Sequence, residues 1–411
     1  MKQNQIFVAI MALLTGLFLV CLFFPPANVL FSSQKSIIFN EGKDWFADFF
    51  NVMRYMSDDG GLYYSKINES DGHSGFPLGQ VLIYPLTLLV DYSRMSLEDC
   101  WMSKPAIFSC VVYLAVLAFF FWDSLNRVCE KYGVKKYNLI IFLFSSAFIF
   151  TLERGNNLFL SAALVNYFLV FYDSRSKGQK WFALVSLCLA ATLKGYPVFF
   201  GLLLLKDKRY KDILYCIIIT IILAFGPFLF MEGGFDNLFK MIENTGLNNE
   251  AYLHVYNYMF GLHKLACLAC FALHLPPMSM DSVISVVRIL ETALVLLTFI
   301  LVLVEKRIYR QILLIVCAVV LFPINSGFYC VVYVLPAILL FFIRREYTKL
   351  DYVILLLLCL VINPFQVVLP FNGHEYYLTS LMSNASLCLL WLLLIATSLP
   401  QLKGFKFKQL I

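Results

Sequence analysis

Basic side chains interrupt long apolar runs again and again, and that alternation limits the chain to helices threaded repeatedly through a bilayer. The clusters are Arg127/Lys131/Lys135/Lys136, Arg175/Lys177/Lys180, Lys206/Lys208/Arg209/Lys211, Lys306/Arg307/Arg310, Arg344/Arg345/Lys349 and Lys403/Lys406/Lys408. With Lys2 they hold 21 of the 32 Lys+Arg but only 8 of the 26 Asp+Glu, which leaves 11 basic and 18 acidic residues elsewhere. The positive-inside rule assigns the basic loops to the cytoplasm. A charged fraction of 14%, against about a quarter in soluble domains, excludes a water-soluble fold. The net charge of +6 is a matter of loop topology and gives no support to a nucleic-acid partner.

Charge parity then sets the path. The run 6–24 is uncharged and long enough for one crossing, and no small-residue cleavage site follows it, so it reads as a retained anchor. Residues 181–205 are flanked by basic loops on both sides, which calls for a hairpin of short helices turning at Lys194-Gly195-Tyr196-Pro197. The run 311–343 calls for another, broken at 322–329. Such breaks are tolerated only where they line a cavity. The runs 76–90 and 258–275 fit as helices at the outer face, because counting either as a crossing inverts every later loop. The expected fold is an all-α polytopic membrane protein of about twelve membrane helices, with broken half-helix hairpins and cytoplasmic termini. It forms one integral membrane domain, 1–411. Its outer loops are 25–104, 153–157, 194–197, 231–281, 322–328 and 371–380. The cysteines lie mostly in apolar runs, and Cys267-x-x-Cys270 reads as core packing.

The outer loops concentrate the chemistry-bearing residues. Asp44 and Asp48 are one helical turn apart, beside Trp45, Phe46, Phe49 and Phe50. That apolar shielding predicts a raised carboxyl pKa suited to a general base; the plainer alternative is a solvated amphipathic loop. Glu153-Arg154 is either a functional pair or a helix-hairpin cap. Lys194, alone in a broken apolar hairpin, requires an anion or a wet cavity. Arg288 and Glu291 are spaced as an i,i+3 pair, and His263 and Lys264 are placed to snorkel toward head groups. Arg154, Lys194, Lys264 and Arg288 together suit the phosphate of an outer-leaflet lipid. The scattered histidines (73, 254, 263, 274, 374) offer no metal spacing, and no phosphate-cradling glycine loop or nucleophile elbow occurs.

Several blocks carry a resemblance. Ala47-Asp48-Phe49, Gly61-Leu62-Tyr63, Phe76-Pro77-Leu78-Gly79 and Tyr84-Pro85-Leu86 resemble the first outer loop of glycosyltransferase family 87, mannosyltransferase-like proteins of the C-type membrane superfamily. Gly155-Asn156-Asn157-Leu158 is similar to that family's second turn, with Asn156 where Gln is common. Lys194-Gly195-Tyr196-Pro197 resembles its Lys-x-x-Pro hairpin tip. Phe322-Pro323-Ile324-Asn325-Ser326, followed by Tyr329 and Pro336, resembles its Pro-x-Ser segment, with Gly327-Phe328 in place of the usual Trp or His. Residues 257–264 resemble its Asn-x-Ser and Arg helix more weakly.

The resemblance implies an inverting transferase that moves one sugar, mannose-like, from polyprenyl phosphate to an envelope glycan or glycolipid acceptor. It implies work on the extracytoplasmic face; short cytoplasmic loops and a compact chain suggest a bacterial inner membrane, and no cofactor, metal or nucleic acid is expected. In that scheme Asp48, or Asp44, takes the acceptor proton. Lys194, Arg154, Arg288 and Lys264 hold the donor phosphate, and Trp45, Tyr63, Tyr84, Asn156 and Tyr196 contact sugar or prenyl chain. Two rivals share the topology: a lipid-linked polysaccharide polymerase or ligase, and a flippase or transporter. The first usually keeps its Arg and His in a large later loop, where 231–257 has only Lys240 and His254. The second calls for internal repeats and midplane charges.

Overall fold

The computed structural model describes residues 45–58, 60–65, 72–143, 145–343, 347–363, 368–371 and 374–404. The expected first crossing 6–24, Asp44, Arg344, Arg345 and the end of the last basic cluster lie outside the described residues.

Helices dominate. In chain order they are α1 (Ala47–Ser57), α2 (Lys104–Tyr132), α3 (Ser146–Arg154), α4 (Leu158–Phe171), α5 (Lys177–Lys194), α6 (Tyr210–Phe225) and α7 (Asp236–Leu253). There follow α8 (Leu262–Ala272), α9 (Pro277–Val304), α10 (Ile308–Leu321), α11 (Val334–Phe341), α12 (Lys349–Val361) and α13 (Leu378–Ser398). Among the described residues, Lys104–Tyr132, Tyr210–Phe230, Pro277–Val304 and Leu378–Leu402 are long and apolar enough to cross a bilayer. The others are shorter: the 181–205 run becomes α5 and a second arm, Tyr196–Lys206, and the 311–343 run becomes Ile308–Leu321 and Phe328–Phe341. The 76–90 run is two helical turns, Leu78–Ile83 and Tyr84–Leu88, and the 258–275 run shortens to α8.

Three of the four long helices, α2, α6 and α9, are largely exposed, whereas α13 and the short α10 and α11 are mostly buried. Along α2, Phe108, Val111, Phe119 and Phe120 are exposed, as are Ile217, Ile218, Ile221 and Ile222 on α6. In water such a belt would be an aggregation surface; in lipid it is solvated. In contrast, every residue of α11 is buried, and so is every residue of α10 after Ile308. Apolar packing alone gives little drive between helices in lipid, so small and polar contacts register them. Asn166 on α4 donates to Ser124 on α2 (3.0 Å), Tyr333 to Ser161 (2.7 Å), and Trp391 on α13 to Thr298 on α9 (2.8 Å).

Basic loops far apart in sequence meet at one end of the bundle. Lys131 pairs with Asp173 at 2.5 Å, Lys180 and Arg209 share Asp212 at 2.9 and 2.6 Å, and Arg310 faces Glu305 at 3.3 Å. Lys206 donates to the Glu305 carbonyl, and Tyr309 donates to Asp351 at 3.0 Å. Turns 154–157, 194–197 and 322–328 lie at the opposite ends of these same helices.

One departure is local. A two-stranded antiparallel hairpin, β1 (Val368–Phe371) with β2 (His374–Tyr377), occupies what reads as an outer loop. Its signal was present in Asn372-Gly373 between β-prone residues, a strong hairpin dipeptide.

Candidate active site

The site grows from a tight corner. Helix α3 ends at Gly155, whose φ of 65° gives the left-handed turn that glycine adopts without strain. A Cβ there would lie 2.9 Å from the Phe49 Cβ and 3.4 Å from the Phe46 Cα, so the turn lies directly on α1. The Phe46 N–H donates to the Glu153 carbonyl at 2.7 Å and fixes the start of α1 against the end of α3. These contacts bring Asp48, in the first turn of α1, to Arg154 and Asn156.

Asp48 is fully engaged. Its Oδ1 accepts from Arg154 Nη2 at 2.5 Å and Nε at 3.2 Å, and its Oδ2 accepts from Asn156 Nδ2 at 2.7 Å. Asn156 works in two directions, since its Oδ1 accepts from the Leu158 N–H at 3.0 Å in an Asx turn that leads into α4. The carboxylate also sits in the first turn of α1, where an anion is favoured. Burial by itself would raise the Asp48 pKa. The Arg154 charge and hydrogen bonds, the Asn156 amide and the more distant Lys194 charge outweigh it and hold the carboxyl below its ordinary 3.8. This corrects the expected raised value. Sequence shows the apolar neighbours, but not an arginine 106 positions away.

A cavity of about 570 Å³ opens beside this corner. Asp48, Arg154, Asn156 and Lys194 all line it. Lys194, the last residue of α5, precedes Gly195 at φ 69°; among the described residues it makes no ion pair or hydrogen bond. Carboxamides make much of the remaining polar wall: Asn51, Asn157, Asn248, Asn257 and Asn325. Phe150 supplies a flat apolar wall, nearly parallel to Tyr258 (11°, 5.8 Å) and Tyr329 (12°, 6.3 Å). Phe150, Tyr55, Tyr252 and Gln80 carry no sequence signal of their own and join the wall through packing.

The other expected site residues are elsewhere. Lys264 is buried and donates to the Tyr252 and Leu253 carbonyls (2.5 and 3.3 Å), capping the C-terminus of α7. Arg288 pairs with Glu291 at 2.7 Å, the i,i+3 pair its spacing suggested, and donates to the Phe322 carbonyl at 2.6 Å. Glu291 also holds His263 at 2.9 Å. Neither Lys264 nor Arg288 lines the cavity. Tyr63 is fully buried and donates to the Gly75 carbonyl (2.8 Å), while Trp45, Tyr84 and Tyr196 are exposed and outside the lining. Asp44 lies outside the described residues. No cluster of three potential metal ligands occurs among the described residues.

A family model, Glycosyltransferase family 87, matches residues 77–324, more than half of the 411. The chain belongs to glycosyltransferase family 87. It is therefore a glycosyltransferase, and its apolar helices fit an enzyme embedded in lipid. The match covers Arg154, Asn156 and Lys194 but begins after Asp48 and His73. No curated protein and no solved structure matches the chain.

Proposed function

We propose that this family 87 enzyme transfers a single sugar from a polyprenyl-phosphate carrier to a glycan or glycolipid acceptor on the extracytoplasmic face. The observation that carries this reading is the meeting of Asp48, paired to Arg154, with a second cation, Lys194, on a single cavity. The cations suit a departing phosphate. The carboxamides and the Phe150 face suit the hydroxyls and C–H face of a sugar.

In this scheme the donor phosphate engages Lys194 and draws Arg154 partly away from Asp48. The carboxylate, less neutralised, becomes a better base just when a substrate is present. Asp48 takes the acceptor hydroxyl proton, the oxygen attacks the anomeric carbon from the face opposite the phosphate, and polyprenyl phosphate leaves with inversion. No step requires a metal, because guanidinium and ammonium neutralise the leaving charge. A mannose-like donor, an arrangement of about twelve membrane helices and a bacterial inner membrane complete the proposal; the basic end of the bundle supports a cytoplasmic position for that end.

The test is transfer by the purified protein in nanodiscs with a panel of polyprenyl-phosphate mannose, glucose and arabinose. Consumption of one donor by wild type, lost in Asp48→Asn, is the expected result. A transfer rate retained in Asp48→Asn removes Asp48 from the role of base. Sugar carried across the bilayer without transfer replaces the proposal with a flippase.

A further inference from the structure

His73 and Gln80 line the same cavity, and the chemistry above gives them no task. They are not casual surface groups. Asn244 on α7 donates to the carbonyls of Tyr63 (2.8 Å) and His73 (3.1 Å), Thr245 donates to that of Ser74 (3.2 Å), and Tyr63 donates to that of Gly75 (2.8 Å). Gly72 is packed so closely that a Cβ would meet the Tyr63 carbonyl oxygen at 2.2 Å. The loop bearing His73 is thereby clamped to α7, and its ring sits near the rings of Tyr55 and Tyr63, at centroid distances of 6.4 and 6.0 Å.

Gln80 then decides the tautomer. The amide orientation that satisfies both of its ends has the nitrogen donating to the carbonyls of Phe76 (2.6 Å) and Pro77 (3.3 Å) and the oxygen facing His73 Nε2 at 2.6 Å. We assign it so because the reverse leaves the oxygen facing only acceptors. An acceptor at Nε2 requires the ring proton there and leaves Nδ1 as the ring's acceptor. Burial, with help from the Lys194 charge, pushes His73 down to about 3, so the ring stays neutral at physiological pH. A neutral imidazole near Lys194 leaves the phosphate to the cations and is free to accept from a hydroxyl.

We propose that His73, oriented by Gln80, is a specificity-determining residue that accepts a hydrogen bond at Nδ1 from a hydroxyl of the donor's sugar. The inference rests on reading the cavity as the donor site. Lys194 acts electrostatically on both Asp48 and His73. The sugar attached to a phosphate at Lys194 would therefore have His73 within its surroundings.

The experiment measures binding, independently of turnover, to the intact protein in nanodiscs. Probes are farnesyl phosphate and its mannosyl, glucosyl and arabinosyl esters, with methyl glycosides as acceptor surrogates. Wild type should prefer at least one sugar ester over bare farnesyl phosphate. His73→Phe should reduce that preference about tenfold, the loss of one good hydrogen bond, while leaving farnesyl phosphate affinity as it was. Gln80→Leu, which releases the tautomer but keeps the imidazole, should reduce it less and serves if His73→Phe fails to fold. A preference unchanged in both variants overturns the assignment, as does a wild type that prefers no sugar. Weaker binding of methyl glycosides with an unchanged donor preference also overturns it, in favour of an acceptor contact. Failure of every farnesyl compound to bind removes the donor reading itself. Asp48→Asn, run alongside, should keep the sugar preference, so loss of the base and loss of the subsite are read separately.

Discussion

At the scale of single residues, Asp48 has a pH signature. Its folded-state pKa lies below the ordinary aspartate value of 3.8, so folding favours the ionised form. That stabilisation is complete above the unfolded value and is lost as pH falls through the folded one. Thermal unfolding of wild type and Asp48→Asn should therefore differ most near neutrality and converge in acid; parallel curves down to pH 2 would contradict the Arg154 pairing. For activity, Asp48→Asn should lower transfer by roughly 10²–10⁴-fold, the usual range for a general base. Gly155→Ala places a Cβ against Phe49 at a left-handed φ. It should destabilise the fold by about 1–3 kcal/mol, read as a lower unfolding temperature in detergent. Asp48, Arg154, Asn156 and Lys194 stand out in the sequence because each is polar in an apolar setting. Lys264 and Arg288 stand out for the same reason, yet they serve a helix end and Glu291. Which partner a buried cation finds is decided by packing, and sequence spacing revealed only the i,i+3 one.

At the scale of elements, the hairpin ending in Lys194 was legible because Gly195 and Pro197 break an apolar run between basic flanks. The turn at 322–327 was legible from its Pro and Gly. Less legible was what ties that turn down. The Phe260 N–H donates to the Ser326 carbonyl at 2.9 Å, and Asn384 on α13 brackets Gly261 with bonds of 3.0 and 3.2 Å. Asn384→Leu should leave those backbone groups unsatisfied, loosen the wall that carries Tyr258, and raise KM for the donor more than it lowers kcat. Lys194→Gln should weaken binding of farnesyl phosphate itself, by about tenfold or more given a charge-assisted contact. An unchanged affinity would count against its phosphate role. The β-hairpin shows the reverse case, a plain Asn-Gly dipeptide signal in a segment expected to be only an outer loop.

For the whole molecule, the segregation of charge anticipated which helix ends gather together, because loop charge is fixed by topology and survives any detail of packing. The number of crossings was less accessible, since several central helices are too short to be told from half-crossings by length. Sidedness is open to direct labelling. A membrane-impermeant maleimide applied to the outer face should modify a protein carrying Lys240→Cys and spare one carrying Lys208→Cys. Modification of the latter would invert the orientation proposed above.

The lengths of α2 and α4 around the cavity bear on its depth. Tyr113 lines the cavity nine residues below the start of α2, or about 14 Å along the helix axis. The buried α4 runs 14 residues from the cavity toward the basic end, about 21 Å where a hydrocarbon core measures about 30 Å. On the orientation proposed above, with the start of α2 at the outer interface, the floor of the cavity would lie below the water line, at the level of acyl chains. The proposed prenyl carrier could then present its head group there without leaving the leaflet. In that arrangement depth would hold down wasteful hydrolysis of the proposed donor, and an acceptor would have to dip into the membrane to be glycosylated.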